Sequence, residues 1–339
     1  MNRSTATPLA LVLCLGSLPT VLHAGAAPGM DNQALALTNE PPDKAYKKFD
    51  DPSVSNDGIV AALTDVKDGK KERCIVLYDA AGLEKILTCT GFPAPADAQS
   101  LEIKRISQVK IARDSSFVSY VAKLAGGLTG VFTTAYDPLL NTVGATTTHV
   151  LTGDGMTNTS PPSVVDDIIG GAVNETGDLF FSARLFGPSP LSNGVVAKCN
   201  AGADCRNNPG AWKIIAQEDD KVPDSPAAPA MRFCAFDDSI GVSSSPDGVT
   251  FKAFSSDDII LGCDNQKSWL PGIYRHTAPG PLETLAREDL SSDPSSTLPG
   301  TTYSNFKGAP VMNDWGDACF TASTKGVIEK SYVFCCQFP

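Results

Sequence analysis

The stretch Pro52 to Pro95, PSVSNDGIVAALTDVKDGKKERCIVLYDAAGLEKILTCTGFPAP, decides the fold. A polar turn, SNDG, leads into the alternating run IVAALTDV; a second run, CIVLYDA, follows, and a tight AAG turn opens a third, LEKILTC. Apolar and β-branched residues at alternate positions, punctuated by Gly, Asn and Asp, are the pattern of half-buried antiparallel strands. No long stretch of the chain carries the helical period of an amphipathic helix.

The same grammar recurs downstream. The turn returns as ARDSS near Asp114, NETGD near Glu175, SSPDG near Asp247 and NDWGD near Asp314. With Gly58, Ser116, Gly177, Gly248 and Gly316 taken as equivalent, the spacings are 58, 61, 71 and 68 residues, the size of a four-stranded propeller blade with its loops. Each turn precedes a β-rich run (IVAALTDV, FVSYVAKL, LFFSARL, VTFKAFS, ACFTAST), and a further one follows a variable loop (RCIVLYDA, GVFTTAYD, GVVAKCNA, GIYRHTA, SYVFCCQF). LEKILTC, THVLTGD, WKIIAQED and LETLARED end the first four copies, and the fifth has no such strand before Pro339. Gln33 to Asp43, QALALTNEPPD, resembles the missing strand, and an N-terminal strand that completes the last blade closes a ring. The expected fold is all-β: a β-propeller of five blades with four antiparallel strands each, near residues 52–98, 102–157, 164–223, 232–293, and 305–339 plus 33–43, in a single domain over 27–339. An open stack of sheets is the alternative.

SPDGVTF (Ser245 to Phe251) and PSVSNDGIVAAL (Pro52 to Leu63) resemble the turn-plus-strand signature of TolB-type, WD40-like propeller repeats. The fuller pattern is similar to that of secreted bacterial propellers with repeats of the form N-x-x-G-x-V-A-F, G-I-F, then L-x-x-I-A-x-x-G-D-x-A-P. GVFTTAYD, GIYRHTA, HVLTGDGM and LTNEPPD echo parts of it; Ser116, QEDDKVPD and REDLSSD depart from it. The resemblance spans nearly the whole mature chain and implies a propeller fold and export, with no catalytic residues to carry over.

The chain opens with Arg3, an apolar segment from Pro8 to Leu22, and small residues at Ala24, Gly25 and Ala26. This is the layout of a secretory signal peptide over residues 1–26, cleaved after Ala24 or Ala26, and the segment is too short to span a membrane. Leu13 before Cys14 argues against lipidation. The expected location is secreted or periplasmic. Lys and Arg total 27 against 38 Asp and Glu, a net charge of −11. Such a chain is a poor nucleic-acid binder, because counterion release needs clustered cations.

Ten cysteines less Cys14 leave an odd number in an oxidising compartment. The spacings suggest Cys74 with Cys89, Cys199 with Cys205, Cys234 with Cys263, and Cys319 with Cys335 or Cys336, as structural staples rather than zinc ligands. A two-residue turn at Ala81-Gly82 would set Cys74 opposite Cys89.

Catalytic signatures are absent from the sequence. His149 and His276 are the histidines of the mature chain, and no G-x-S-x-G, H-E-x-x-H, P-loop or G-x-G-x-x-G accompanies them. The channel-lining strands PSVSN, QVKIA, IGGAV, IGVSS and APVMN carry no Asp or Glu. Acidic doublets, Asp50-Asp51, Asp166-Asp167 and Asp237-Asp238, stand where these strands begin, and their convergence on one rim would suit a Ca²⁺ ion or a sugar. Glu40, Asp154, Glu218, Asp219, Glu288 and Asp289 add acidity to the loops leaving the last strands, which biases that face toward cationic partners. Trp212, Trp269 and Trp315 are either sugar platforms or packing residues. The expected role is a binding module for a protein, glycan or small ligand at one loop face; the alternative is a carbohydrate-active or other hydrolytic enzyme using rim acids.

Overall fold

The structure, a computed structural model, describes residues 45–50, 52–68, 70–79, 84–187, 193–223, 231–244, 247–257, 262–288, 301–313, 315–326 and 331–336. The expected signal peptide, the strand expected at 33–43, Glu40, Asp51 and Asp289 lie outside these residues.

The chain folds into a five-bladed β-propeller. In the first blade β1 (Ala45–Phe49) and β2 (Ser53–Val54) both pair with β3 (Val60–Asp68), followed by β4 (Lys70–Tyr78) and β5 (Glu84–Cys89). The second holds β6 (Ile103–Ile111), β7 (Phe117–Leu124), β8 (Thr129–Asp137) and β9 (Thr142–Leu151). The third runs from the short β10 (Gly155–Met156) through β11 (Ser163–Val173), β12 (Leu179–Phe186) and β13 (Gly194–Cys199) to β14 (Lys213–Gln217). The fourth holds β15 (Arg232–Ser244), β16 (Asp247–Ser256), β17 (Leu270–Thr277) and β18 (Leu282–Arg287); the fifth, among the described residues, β19 (Thr301–Met312), β20 (Ala318–Gly326) and β21 (Ser331–Cys336). Apart from β1 and β2, which both pair with β3, strands consecutive within a blade are antiparallel neighbours.

Three details differ from the sequence expectation. The first blade reaches back to Ala45 rather than starting at Pro52, because its inner strand is broken into β1 and β2 around Asp50. The left-handed position of the turn after the inner strand is held by Gly58, Gly177 and Gly316, with φ of 78°, 86° and 82°, but in the second blade by Ser115 at 63°, not Ser116. In the fourth blade Gly248 is not a turn residue: it lies in β16 opposite Ser243, because the inner ladder runs on to Ser244 and Asp247.

The central strands of the second, third and fourth blades are buried on both faces, so their apolar positions feed two neighbouring layers. Ala61, Leu63, Ile75 and Leu77 pack with Ile106, Tyr120 and Phe132 between the first and second blades. Val121 and Val131 join Ile168, Phe181 and Trp212 between the second and third, and Phe180 and Val196 join Phe233, Phe251 and Tyr274 between the third and fourth. Ile273 and Ala286 meet Tyr303, Phe306 and Phe320 at the next junction.

A shared irregularity marks the outer strands. One residue bulges out of the ladder between the third and fourth strands of each of four blades: Leu87, His149, Ile215 and Leu285. Three residues later the chain latches back onto the start of the third strand. Thr90 Oγ1 accepts the Arg73 N–H at 3.0 Å, and Thr152 Oγ1 accepts the Thr129 N–H at 2.9 Å. In the third blade the matching residue is Glu218, and in the fourth Glu288, opposite Pro271, which has no N–H to give.

Candidate functional site

The ends of the five inner strands and the turns that follow them surround a cavity of about 210 Å³ on the ring axis. Every blade contributes: Ser53 and Val54, Lys110 and Ile111, Ala172 and Val173, Ile240 and Val242, and Val311 and Met312. The strands themselves bring no carboxylate, but the turns bring Arg113 and Glu175. Glu175 Oε1 accepts the Arg113 backbone N–H at 3.1 Å and lies 4.0 Å from Arg113 Nε, whereas its Oε2 is buried without a hydrogen-bond partner. Val54 and Val311 are more than half exposed here, and Trp315, in the turn after β19, is 77% exposed. The site is a bowl in which apolar side chains and polar groups share the lining about equally, with Lys110, Arg113 and Glu175 supplying charge, an arrangement that can hold a group by shape and a few polar contacts. Lys110, Arg113 and Glu175 escaped sequence reasoning; the available signal was their place at or just after the end of an inner strand.

The same face is stitched blade to blade. Ser115 Oγ donates to Ser55 Oγ at 2.8 Å, Asn174 Nδ2 donates to the Ser243 carbonyl at 3.2 Å, and Arg275 Nη1 donates to the Gly316 carbonyl at 3.0 Å. Lys198 pairs with Asp178 of its own blade at 2.8 Å and with Asp247 of the next. These contacts tie the turns bounding the cavity to their neighbours.

The acidic doublets occupy interruptions of the inner strands. Asp166 is the bulged residue of β11, Asp237 and Asp238 fall in the irregular stretch of β15 between Phe236 and Ile240, and Asp50 follows β1. Their charges are met within their own blades: Asp50 by Lys48 at 2.8 Å and by Arg73, Asp167 by Arg184 at 2.6 Å, and Asp237 by Lys252 at 2.8 Å. Asp166 is exposed. Burial pushes the Asp238 carboxyl up, reinforced by neighbouring Asp237; burial also acts on Asp237, but hydrogen bonds from Asp238 and Lys252 outweigh it and hold that carboxyl below its usual range. Among the described residues, the cluster with metal-ligand spacing is Glu72 with Cys74 and Cys89, and both sulfurs are already in a disulfide. Gln108 crosses the ring, donating to the Asp238 carbonyl at 2.8 Å and accepting from the Gly171 N–H at 3.3 Å.

Four disulfides join Cys74 to Cys89, Cys199 to Cys205, Cys234 to Cys263 and Cys319 to Cys335. The first and last link residues directly opposite in a ladder. His149 fills the outer-strand bulge position, where its Nε2 lies 2.6 Å from Thr133 Oγ1 and burial depresses its pKa to about 4, against the opposing pull of Asp97. Burial lowers His276 likewise. Trp212 is buried with its Nε1 on the Gly155 carbonyl, and Trp269 donates to the Cys263 carbonyl, which leaves Trp315 as the exposed indole. No helix among the described residues is long and apolar enough to cross a membrane.

No curated protein matches the chain. Among solved structures it is similar to a luciferin-regenerating enzyme, with 11% identity over 70% of this chain and 62% of that one and a TM-score of 0.35. It is similar also to TolB from Acinetobacter baumannii (11% identity, 77% of this chain, 48% of that one, TM-score 0.38) and to the β-propeller domain of the trilobed protease from Pyrococcus furiosus (9%, 84%, 82%, TM-score 0.40). The chain spans less than two thirds of the length of the first two. The model of a family of unknown function, DUF7453, matches residues 16–332, and the chain belongs to that family.

Proposed function

We propose that the protein is an exported binding module that seats a small polar ligand, or the end of a glycan or peptide, in the mouth of its central channel. The observation that carries this reading is the cavity built by all five inner strands and lined by Glu175, one of whose carboxylate oxygens is buried without a donor. An unsatisfied buried carboxylate oxygen is costly, and a ligand N–H or O–H would satisfy it. The volume suits one chemical group rather than a folded partner. Export is supported by the four disulfides, which persist where the medium is oxidising.

Thermal-shift and calorimetric screening against amino acids, amines, sugars and short oligosaccharides tests the site. A ligand should raise the melting temperature of the wild-type protein and lose at least about tenfold in affinity with Glu175→Gln. Binding unaffected by Glu175→Gln and by Arg113→Ala would move the site elsewhere. N-terminal sequencing of protein recovered from the periplasm or medium should begin at Gly25 or Ala27.

One observation favours a hydrolytic reading as a second possibility: burial pushes the Asp238 carboxyl up while hydrogen bonds from Asp238 and Lys252 hold Asp237 down, the kind of divergence that separates an acid from a base. Turnover of chromogenic glycosides that disappears in Asp237→Asn would favour it over the binding module.

A further inference from the structure

We propose that Asn193-Gly194 is a self-modifying site, at which Glu218 drives loss of the Asn193 side-chain amide as ammonia. Three N–H groups converge on this one carboxyl at the start of β13. The Asn193 backbone N–H donates to Oε2 at 3.1 Å, and the Gly194 N–H donates to the same carboxyl. With the Asn193 amide turned so that its nitrogen faces Glu218, that nitrogen lies 2.5 Å from Oε2 and 3.3 Å from Oε1.

The first two blades show what is unusual here. Their latch residues at this position are Thr90 and Thr152, whose hydroxyls accept a hydrogen bond but do not remove a proton from an amide. A Cβ at residue 194 would lie 2.4 Å from Glu218 Oε1, so glycine there lets the carboxyl rest against the backbone where it stands. The same glycine leaves the nitrogen that follows Asn193 unhindered as a nucleophile. Burial pushes the Glu218 carboxyl up, against the pull of the Asn193 and Gly194 backbone N–H groups, which brings its proton exchange toward neutral pH.

The steps balance as follows. The Gly194 nitrogen gives its proton to Glu218 and forms a bond to Asn193 Cγ, whose carbonyl π pair moves onto oxygen. That pair returns to re-form the carbonyl as the bond from Cγ to the side-chain nitrogen breaks. The departing nitrogen takes the proton back from Glu218 and leaves as ammonia. Water then opens the cyclic imide at either carbonyl, giving an aspartyl or an isoaspartyl residue. The product places a second carboxylate against Glu218, and like charges in a half-buried site repel, so the latch between β13 and β14 opens.

The full chain is incubated near neutral pH and position 193 followed by peptide mapping, which reads the mass gain on exchange of an amide nitrogen for a hydroxyl oxygen. Folded wild-type protein should convert at least about tenfold faster than Glu218→Gln and faster than the urea-unfolded chain, the scale of general-base assistance. Equal rates in wild type and variant, or a faster unfolded chain, overturn the proposal. The pH profile of the wild-type protein is a test needing no variant: a rate that levels off above neutrality, once Glu218 is ionised, supports the proposal, and a rate that keeps rising in proportion to hydroxide refutes it.

Discussion

Lys198 of the third blade forms an ion pair with Asp247 at the head of β16 in the fourth, while Asp178 holds the same ammonium at 2.8 Å. The lysine is 6% exposed, with its charge 5.2 Å from the centre of the Phe180 ring. Replacing it by Met leaves two carboxylates facing each other in a largely buried junction. Urea unfolding should therefore show a loss of about 3 kcal/mol. Lys104→Ala, which breaks the exposed pair with Glu102, should change stability by less than about 0.5 kcal/mol.

Glu218 gives stability a pH dependence of unusual sign. Its carboxyl titrates near 7 in the folded protein against an ordinary 4.5, so between these values the folded state binds the extra proton. Stability therefore falls as pH rises across that window, by about 2–3 kcal/mol. Glu218→Gln should remove the slope and be the more stable protein above neutrality, as read from denaturation midpoints at several pH values.

His149 acts on the acid side. Its imidazole stays neutral down to about 4, whereas in the unfolded chain it takes a proton near 6.5, so stability is lost as pH falls between the two. The equivalent bulge residues are Leu87, Ile215 and Leu285, which makes His149→Leu the natural control. That variant should resist acid better than wild type. At neutral pH it should lie within about 1 kcal/mol of wild type, the cost of the Thr133 hydroxyl losing its partner.

The disulfides should rank by the loop each closes. Removing Cys234–Cys263, with a separation of 29 residues, is expected to cost about 3.5 kcal/mol, and removing Cys199–Cys205, with a separation of 6, about 2 kcal/mol. Paired Cys→Ala variants compared by denaturant unfolding check the order, and a reversed ranking would show that native packing rather than chain entropy dominates.

The strands and blades were legible in the sequence because each depends on local alternation and turn chemistry. The pairing of Cys74 with Cys89 was legible for an incomplete reason. Tyr78 faces Glu84, one residue out of step with the cysteine pair, and the bulge at Leu87 restores the register. No sequence rule locates that bulge; only comparison of four outer strands in space does. The acidic doublets were visible as charges, but Arg73, Arg184 and Lys252, which neutralise them, stand on neighbouring strands far along the chain. Glu175 looked like a turn residue, and its cavity exists only when five separate inner strands converge.

The bulges at Leu87, His149, Ile215 and Leu285 also bear on how the protein behaves at high concentration. A blade's outermost strand presents a row of backbone donors and acceptors to its surroundings, and a regular row is a template on which another molecule can add a strand. One displaced residue in each row twists the edge and breaks the repeat of those groups. Four of the outward edges are in this way made poor templates for the addition of another strand.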